Sequence, residues 1–241
     1  MLEKYIVPGQ KIELRAVNRV KLSGNETQAK TYASKIYDIL DEDKLEVVMP
    51  MEHTKLILLP VGGEYEVVFY SDIGLYECVC RIIDRYKSNN VYILMLEMIT
   101  NLRKYQRREY YRFSCALDMN TRQLAEEEIE ATEKHQKYLV PGLPLKRSII
   151  VDISGGGIRF ISDYPYEKDS LIYCNYQLLC KDVQKNYEIV SKVLDVRPIP
   201  NRPGEYEHRA QYVNLDNAQR EEIIQFIFES ERRNRKRDSS V

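Results

Sequence analysis

Short apolar segments, separated by turn residues, recur along the chain and constrain its fold more than any other feature of the sequence. These segments are rich in Val, Ile, Leu and Tyr, which favour strands. In the first part of the chain we predict strands at residues 11–16, 35–40, 45–49, 55–59, 64–70, 75–84 and 91–98. Turn residues such as Gly62-Gly63 stand between them. Many short strands at this spacing predict a small β-barrel.

The second part of the chain is also mostly strand, and it ends in a helix. We predict strands at residues 111–118, 149–153, 157–161, 171–179, 187–196 and 207–214. The helix is predicted at residues 217–233, where Asp216 and Gln219 form a capping box at its start. The helix carries one apolar stripe, formed by Ile223, Ile224, Ile227 and Phe228. Such a stripe predicts that the helix packs on the barrel.

A second helix is predicted at residues 122–138, which are rich in glutamate and poor in apolar residues. We expect it to be exposed and to be inserted between two strands, with its end marked by Pro141-Gly142. The predicted fold class is therefore mainly β, with two small β-barrels in tandem, a C-terminal helix and an inserted acidic helix.

Composition predicts a folded, soluble protein, since 44% of the 241 residues are hydrophobic and 30% are charged. The net charge of −1 gives no general attraction to nucleic acid or to anionic membranes. Residues 1–10 lack the apolar core of a signal peptide, so we expect a cytoplasmic protein. The five cysteines include Cys78 and Cys80 but no second closely spaced pair, so they are interpreted as structural thiols, and no metal site is predicted.

The most informative segment is the basic stretch at residues 101–112, which contains Arg103, Lys104, Arg107, Arg108 and Arg112. Guanidinium groups donate in a planar fork that matches phosphate oxygens, and they also stack on aromatic rings. Arg108 and Arg112 lie four residues apart at the start of a predicted strand, so together they could hold a phosphate and a base. The alternative is a solvated arginine pair on the surface.

A glycine-rich turn between two predicted strands supplies the second element. Asp152 and Ser154 precede Gly155, Gly156 and Gly157. We expect the glycines to permit a positive φ and to let a ligand approach the backbone. Asp152 could accept hydrogen bonds from a guanine, and Ser154 with nearby N–H groups could contact phosphate. The alternative is a glycine-rich hairpin in which Asp152 and Ser154 close the turn.

Together, these two elements resemble the signature of the PilZ domain. Arg108-x-x-x-Arg112 and Asp152-x-Ser154-x-x-Gly157 match it at every defined position. The resemblance implies a six-stranded barrel that binds cyclic di-GMP, with the arginines on a segment that wraps the ligand. The chain departs from many relatives on the last strand, where it has Arg209-Ala210-Gln211-Tyr212, and in the length of its acidic insertion.

The first hundred residues are similar in layout to the N-terminal barrel of flagellar-brake proteins in this family. The resemblance implies an N-terminal split-barrel-like domain at 1–100, a basic junction at 101–112 and a PilZ domain at 113–241. Because Arg108 and Arg112 lie at the junction while Asp152 and Ser154 lie in the second barrel, we expect an effector that changes its interdomain orientation when a ligand bridges them. Its partner would be a stator or rotor protein of the flagellar motor, so recruitment to the flagellar basal body and restraint of motility are expected.

The predicted ligand-binding residues are Arg107, Arg108, Arg112, Asp152, Ser154, Gly155, Gly156 and Gly157. Arg107 is included because two stacked ligand molecules carry four negative charges, which a third guanidinium would help to neutralise. We therefore predict two cyclic di-GMP molecules per chain and no other cofactor.

Other functions are less well supported by the sequence. For an enzyme, His53, His135 and His208 are scattered without a catalytic arrangement, and Ser154 lacks the context of a nucleophile elbow. The basic run at 232–237 would favour nucleic-acid binding, but the overall pI of about 6.4 is below the basic range of such domains. A flavin-binding barrel would need a phosphate-binding feature, which residues 1–100 do not show. A PilZ-fold interaction module that does not bind the nucleotide is the remaining alternative.

Overall fold

The structure is a computed structural model that describes residues 2–17, 30–136, 138–180 and 183–238. The chain divides into two compact units, Met1–Arg107 and Arg108–Val241. The domain boundaries drawn from the sequence stay a prediction.

The first unit is a barrel preceded by a short 3-10 helix, Leu2–Lys4. Its strands are β1 (Lys11–Ala16), β2 (Thr31–Ile39), β3 (Lys44–Val48), β4 (Met51–Glu52), β5 (Lys55–Leu56), β6 (Glu64–Ser71), β7 (Gly74–Ser88), β8 (Val91–Met98) and β9 (Arg103–Lys104). The sheet runs in the order β6-β1-β2-β3-β8-β7, and pairing of β6 with β7 closes it. Strand β9 adds to β7, while β4 and β5 form a separate small hairpin.

The strand predicted at residues 55–59 is wrong beyond Leu56. The N–H of Ile57 donates to the carbonyl of Pro50, and the N–H of Leu59 turns back to the carbonyl of Ile57. The first of these bonds continues the register of the β4–β5 hairpin, whereas the second turns the backbone back on itself, so the strand does not reach Leu59. The side chain of Leu59 still packs in the barrel core, which explains the apolar pattern of the segment.

The second unit contains a closed barrel and two helices. Its elements are β10 (Arg112–Gln123), α1 (Glu126–Glu133), β11 (Lys146–Ser154), β12 (Gly157–Ser162), β13 (Leu171–Cys180), β14 (Val183–Pro198), β15 (Tyr206–Tyr212) and α2 (Asn217–Asp238). The barrel order is β10-β11-β12-β15-β14-β13. The predicted fold class, with a six-stranded second barrel, is confirmed.

Tyrosines fill much of this second core, and their hydroxyls are paired. Tyr176 and Tyr212 share a hydrogen bond of 2.8 Å between their hydroxyl oxygens. The Tyr166 hydroxyl donates to Thr121 Oγ1 at 2.8 Å. The Tyr187 hydroxyl reaches Glu222 of α2, also at 2.8 Å. Pairing offsets the cost of burying these polar groups.

Helix α2 packs on the barrel as predicted, but with a different apolar face. The Gln219 N–H donates to Asp216 Oδ1 at 2.8 Å, so Asp216 caps the helix. Ile223, Phe226 and Ile227 are buried, whereas Phe228 is 58% exposed. The spacing i, i+3, i+4 keeps Phe226 on the buried face, and Phe228 falls outside it. The prediction that Phe228 packs inward is wrong.

The acidic insertion is shorter and more buried than predicted. Residues 122 and 123 continue strand β10, and the helix covers only Glu126–Glu133. Glu128 is fully buried and receives both ends of the Arg122 guanidinium, at 2.5 and 2.6 Å. The backbone N–H groups of Ala125 and Val140 also donate to it. Burial raises the pKa of Glu128, but the Arg122 and backbone donors outweigh burial and leave it lowered.

No helix in the described ranges is long and apolar enough to cross a bilayer.

Candidate functional site

The barrel places part of the arginine motif directly beside the Asp-x-Ser motif. In the antiparallel pairing of β10 with β11, Arg112 lies opposite Ser154 and Ser114 lies opposite Asp152. Between them Phe113 pairs with Ile153, and both side chains pack in the core. Because side chains alternate along a strand, Arg112, Asp152 and Ser154 lie on the outer face of the barrel. The fold therefore brings these three predicted site residues together.

Asp152 also has a neighbour that the sequence did not single out. Arg159 of β12 lies opposite Asp152, with Nη2 at 4.0 Å from Asp152 Oδ2. The same guanidinium donates more closely to Glu207 Oε2, at 2.8 Å. The Asp152 side chain keeps 17% of its surface exposed. Its carboxylate thus retains capacity to accept hydrogen bonds on the outer face.

Ser154 closes the turn between β11 and β12. Its hydroxyl donates to the carbonyl of Gly157 at 3.0 Å and accepts from the N–H of Gly156 at 3.4 Å. The side chain is buried. These bonds agree with the alternative in which Ser154 closes the turn of a glycine-rich hairpin.

The glycines of the turn do not have the backbone conformation that we predicted. Glycines with positive φ lie elsewhere, at Gly9, Gly62, Gly74, Gly142 and Gly204. The prediction of positive φ at residues 155–157 is therefore wrong. The turn instead needs glycine because neighbours approach its backbone closely. A Cβ at Gly157 would lie 2.2 Å from the carbonyl oxygen of Ala210 on β15.

At Gly155 and Gly156 the close neighbour is the ring of Tyr110. A Cβ at Gly155 would lie 2.6 Å from Tyr110 Cδ1 and 3.1 Å from two carbons of Ile224, and one at Gly156 would lie 3.1 Å from Tyr110 Cδ2. Arg220 of α2 donates from Nη1 to the Gly155 carbonyl at 2.6 Å. Its guanidinium carbon lies 5.3 Å from the centre of the Tyr110 ring. We call these five residues the turn clamp.

The remaining two predicted arginines differ in their surroundings. Arg107 belongs to the first unit, where Nη1 donates to the Tyr70 hydroxyl at 2.6 Å and the guanidinium carbon lies 5.3 Å from the ring centre. Lys11 Nζ lies 4.5 Å from the same ring centre. Burial and the acceptor Glu13 raise the pKa of Tyr70. Arg108 is exposed and begins the second unit.

Sequence reasoning missed Tyr110, Arg159 and Arg220. Tyr110 lies inside the arginine motif, so its position could have drawn attention to it. Arg159 could have been paired with Asp152 from the register of a two-residue hairpin. Nothing in the sequence marks Arg220, because its contact with the turn depends on how α2 packs.

A cleft of about 590 Å³ lies elsewhere on the second unit and contains none of the predicted site residues. It is lined partly by Thr132, Tyr138, Glu188, Asn214 and Gln219. Its described lining contains no arginine or lysine, so it offers no cation to an anionic ligand. The outer face that carries Arg112, Asp152 and Ser154 suits an anionic ligand better, because Arg112 supplies a cation.

Among the described residues, no group of three or more His, Cys, Asp or Glu side chains could hold a metal ion. His208 is buried, stacks on Phe160 with ring centres 4.7 Å apart, and accepts from the N–H of Tyr166 at 3.2 Å. Cys78 and Cys80 are buried with their sulfurs 3.4 Å apart. All three residues are therefore buried in the structure.

Comparison with solved structures shows that the fold is shared with known proteins. The structure of the Bacillus subtilis inhibitor of motility (MotI/DgrA) superposes with a TM-score of 0.71 at 18% identity, over 95% of this chain and 100% of that chain. The crystal structure of YcgR in complex with c-di-GMP from Escherichia coli gives a TM-score of 0.45 at 13% identity, over 96% and 88%. Comparison with curated proteins gives no match.

Two family models match the chain in succession. The model described as flagellar protein YcgR matches residues 7–98, and the PilZ domain model matches residues 106–229. The PilZ match alone spans more than half of the sequence and includes both halves of the motif. The chain therefore belongs to the PilZ domain family, with an N-terminal region of the YcgR type.

Proposed function

We propose that this protein is a non-catalytic receptor for cyclic di-GMP that transmits the signal to a protein partner. The observation that carries the proposal is the placement of Arg112 opposite Ser154, with Asp152 on the same outer face of a PilZ barrel. A guanidinium and a carboxylate on one face provide complementary partners for a phosphate and for a guanine edge.

Each predicted residue has a chemical role in this proposal. Arg108 and Arg112 donate to the ligand phosphates and stack on its bases. Asp152 accepts from the N1–H and N2–H groups of guanine, which adenine cannot offer in the same arrangement. Gly155, Gly156 and Gly157 let the Tyr110 ring and the backbone of β15 pack closely against the turn beside this face. Ser154 holds that turn in shape through its bonds to Gly156 and Gly157.

We test the receptor function by titrating the purified protein with cyclic di-GMP in a calorimeter. Loss of a charge-assisted contact of about 1.5–3 kcal/mol predicts that Arg112→Ala weakens binding roughly 10- to 150-fold. Arg202→Ala is the matched control, because Arg202 is an exposed arginine of the same unit that pairs with nearby Glu205. Cyclic di-AMP should give no heat. Equal binding by wild type and Arg112→Ala would contradict the assigned site.

The same titration tests the proposed stoichiometry of two ligands per chain. Arg107 adds a third guanidinium, and it must exchange its contact with Tyr70 for one with the second ligand. We expect Arg107→Ala to reduce the stoichiometry from two to one. Arg103→Ala serves as control, since Arg103 is an exposed cation of the same segment that pairs with Glu77. An unchanged stoichiometry in Arg107→Ala would rule out this role.

We propose that the output is restraint of flagellar motility through a motor protein. Two findings support this direction: the first family model is described as a flagellar protein, and the Bacillus subtilis structure is an inhibitor of motility. Ligand binding would change the orientation of the two units and thereby alter the surface offered to the partner. Small-angle scattering with and without saturating ligand tests the change, and identical curves would contradict it.

A second candidate function is a PilZ-fold interaction module that does not bind the nucleotide. The observation in its favour is that the turn already has partners: Ser154 bonds within it and Tyr110 covers Gly155 and Gly156. Absence of both heat and thermal stabilisation with cyclic di-GMP would favour this function.

A further inference from the structure

Tyr110 occupies the centre of the Arg108–Arg112 segment, and its ring contacts the glycine turn. Its ring lies so close to Gly155 that a single added methyl group there would overlap it, at 2.6 Å from Cδ1. The contact continues over Gly156, where an added Cβ would lie 3.1 Å from Cδ2. The ring therefore lies against bare backbone.

Helix α2 holds the ring from another direction. Arg220 binds the Gly155 carbonyl at 2.6 Å, and its guanidinium carbon lies 5.3 Å from the ring centre, within the range of a cation–π contact. Ile224, one helical turn further along, packs at the same glycine. One arginine thus links the turn and the ring by two different interactions.

We propose that Tyr110 is a positioning residue for the ligand arginines, a role that rests on the proposed cyclic di-GMP function. The ring fixes the middle of the segment to the turn, so Arg108 and Arg112 are carried on backbone that is already ordered beside Asp152. A segment anchored in this way loses less conformational freedom when the ligand binds, and the complex is tighter. Tyr110 does not need to touch the ligand.

The proposal gives Gly155 a specific reason to be glycine. Alanine at this position would displace the ring and release the segment, and Tyr110→Ala would release it by removing the ring. Because both changes break one contact, their effects on affinity should not add. The double variant Gly155→Ala/Tyr110→Ala should bind about as well as either single variant.

The first measurement is the affinity for cyclic di-GMP by calorimetry. Tyr110→Ala and Gly155→Ala should each weaken binding about 10-fold, whereas Tyr110→Phe, which keeps the ring, should stay within about 2-fold of wild type. Tyr138→Ala is the matched control, because Tyr138 is an exposed tyrosine of the same unit. Unchanged affinity in Tyr110→Ala overturns the proposal. Tighter binding also overturns it, since the ring would then compete with the ligand.

The second measurement needs no ligand and separates this inference from the proposed function. Amide hydrogen exchange of residues 108–112 should be faster in Tyr110→Ala than in wild type and unchanged in Tyr110→Phe. If the wild type does not bind cyclic di-GMP, the proposed function fails, while the exchange rates still decide whether the ring anchors the segment. Equal exchange in Tyr110→Ala and wild type overturns the anchor.

Arg220→Ala provides a second variant in case Tyr110→Ala does not fold. This change leaves the Tyr110 ring in place but removes its support from α2. It should therefore weaken binding of cyclic di-GMP and speed amide exchange of residues 108–112, each by a smaller factor than Tyr110→Ala does. If affinity and amide exchange are both unchanged in Arg220→Ala, α2 takes no part in the turn clamp through Arg220.

Discussion

The two barrels have the same number of closing strands but differ in what fills them. The described core of the first barrel is mainly Ile, Leu, Val, Met and Cys, with Tyr65 as its buried tyrosine. The core of the second barrel contains Tyr166, Tyr176, Tyr187 and Tyr212, whose hydroxyls are paired with named partners. Apolar packing is non-directional, whereas a buried hydroxyl requires one partner at one place. The second barrel, which carries the candidate site, is thus held by more position-specific interactions.

The largest effect on stability is expected when the buried ion pair between Arg122 and Glu128 is broken. Glu128→Ala leaves the Arg122 guanidinium buried without its partner, and removing one member of a buried pair costs about 3–5 kcal/mol. Chemical unfolding should show the transition of the second unit at lower denaturant concentration, with that of the first unit unchanged. Glu126→Ala, an exposed change in the same helix, is the control. A shift smaller than that of the control would contradict the structural role of Glu128.

The second-largest effect on stability is expected when one hydroxyl of the buried Tyr176–Tyr212 pair is removed. Tyr212→Phe leaves the Tyr176 hydroxyl buried without its partner, which costs about 1–3 kcal/mol. Tyr92→Phe in the first barrel removes the hydroxyl of an exposed ring and should have no measurable effect. Unfolding curves of the two variants, measured side by side, test the contrast. Equal shifts would show that hydroxyl pairing does not distinguish the barrels.

The third prediction uses the pH dependence of stability. Burial lowers the pKa of His208 below its usual 6.5, so the folded state favours the neutral ring. Below about pH 6.5 the unfolded chain takes up a proton that the folded chain refuses, and stability falls as pH decreases toward the lowered pKa. His208→Phe should make this dependence shallower by up to about 1.4 kcal/mol per pH unit. Unfolding at pH 7.5 and 5.5 measures it, and an identical slope in the variant would contradict the prediction.

The smallest effect belongs to an exposed ion pair of the first barrel. Arg81 Nη2 lies 2.8 Å from Glu64 Oε1, but both side chains are largely exposed to solvent. Water screens such pairs, so Arg81→Ala should leave the unfolding midpoint unchanged within error. A clear loss of stability would show that the first barrel also depends on polar pairs.

Local pattern was sufficient to predict most of the barrel strands. The predicted limits of β1 and β8 agree with the structure. The misplaced elements depend on distant contacts. Residues 122–138 have a helical composition, yet pairing with β13 keeps Arg122 in a strand.

The candidate site was predictable only in part, for a related reason. The sequence motif identifies Arg112, Asp152 and Ser154, so these residues could be predicted without knowing that their strands pair. The role of the glycines could not be read in this way, since it depends on Tyr110 and on Ala210 of β15 approaching the turn. By contrast, the spacing i, i+3, i+4 alone places Phe226, rather than Phe228, on the face shared by Ile223 and Ile227.

The uninterrupted order of each barrel along the chain has a consequence for synthesis. The closing strands of the first barrel lie between Lys11 and Met98, and those of the second lie between Arg112 and Tyr212. Among the strands that the structure describes, neither barrel takes one from the other, so the first can close while the ribosome is still adding the second. Its apolar side chains are then enclosed in a finished core during the remainder of translation.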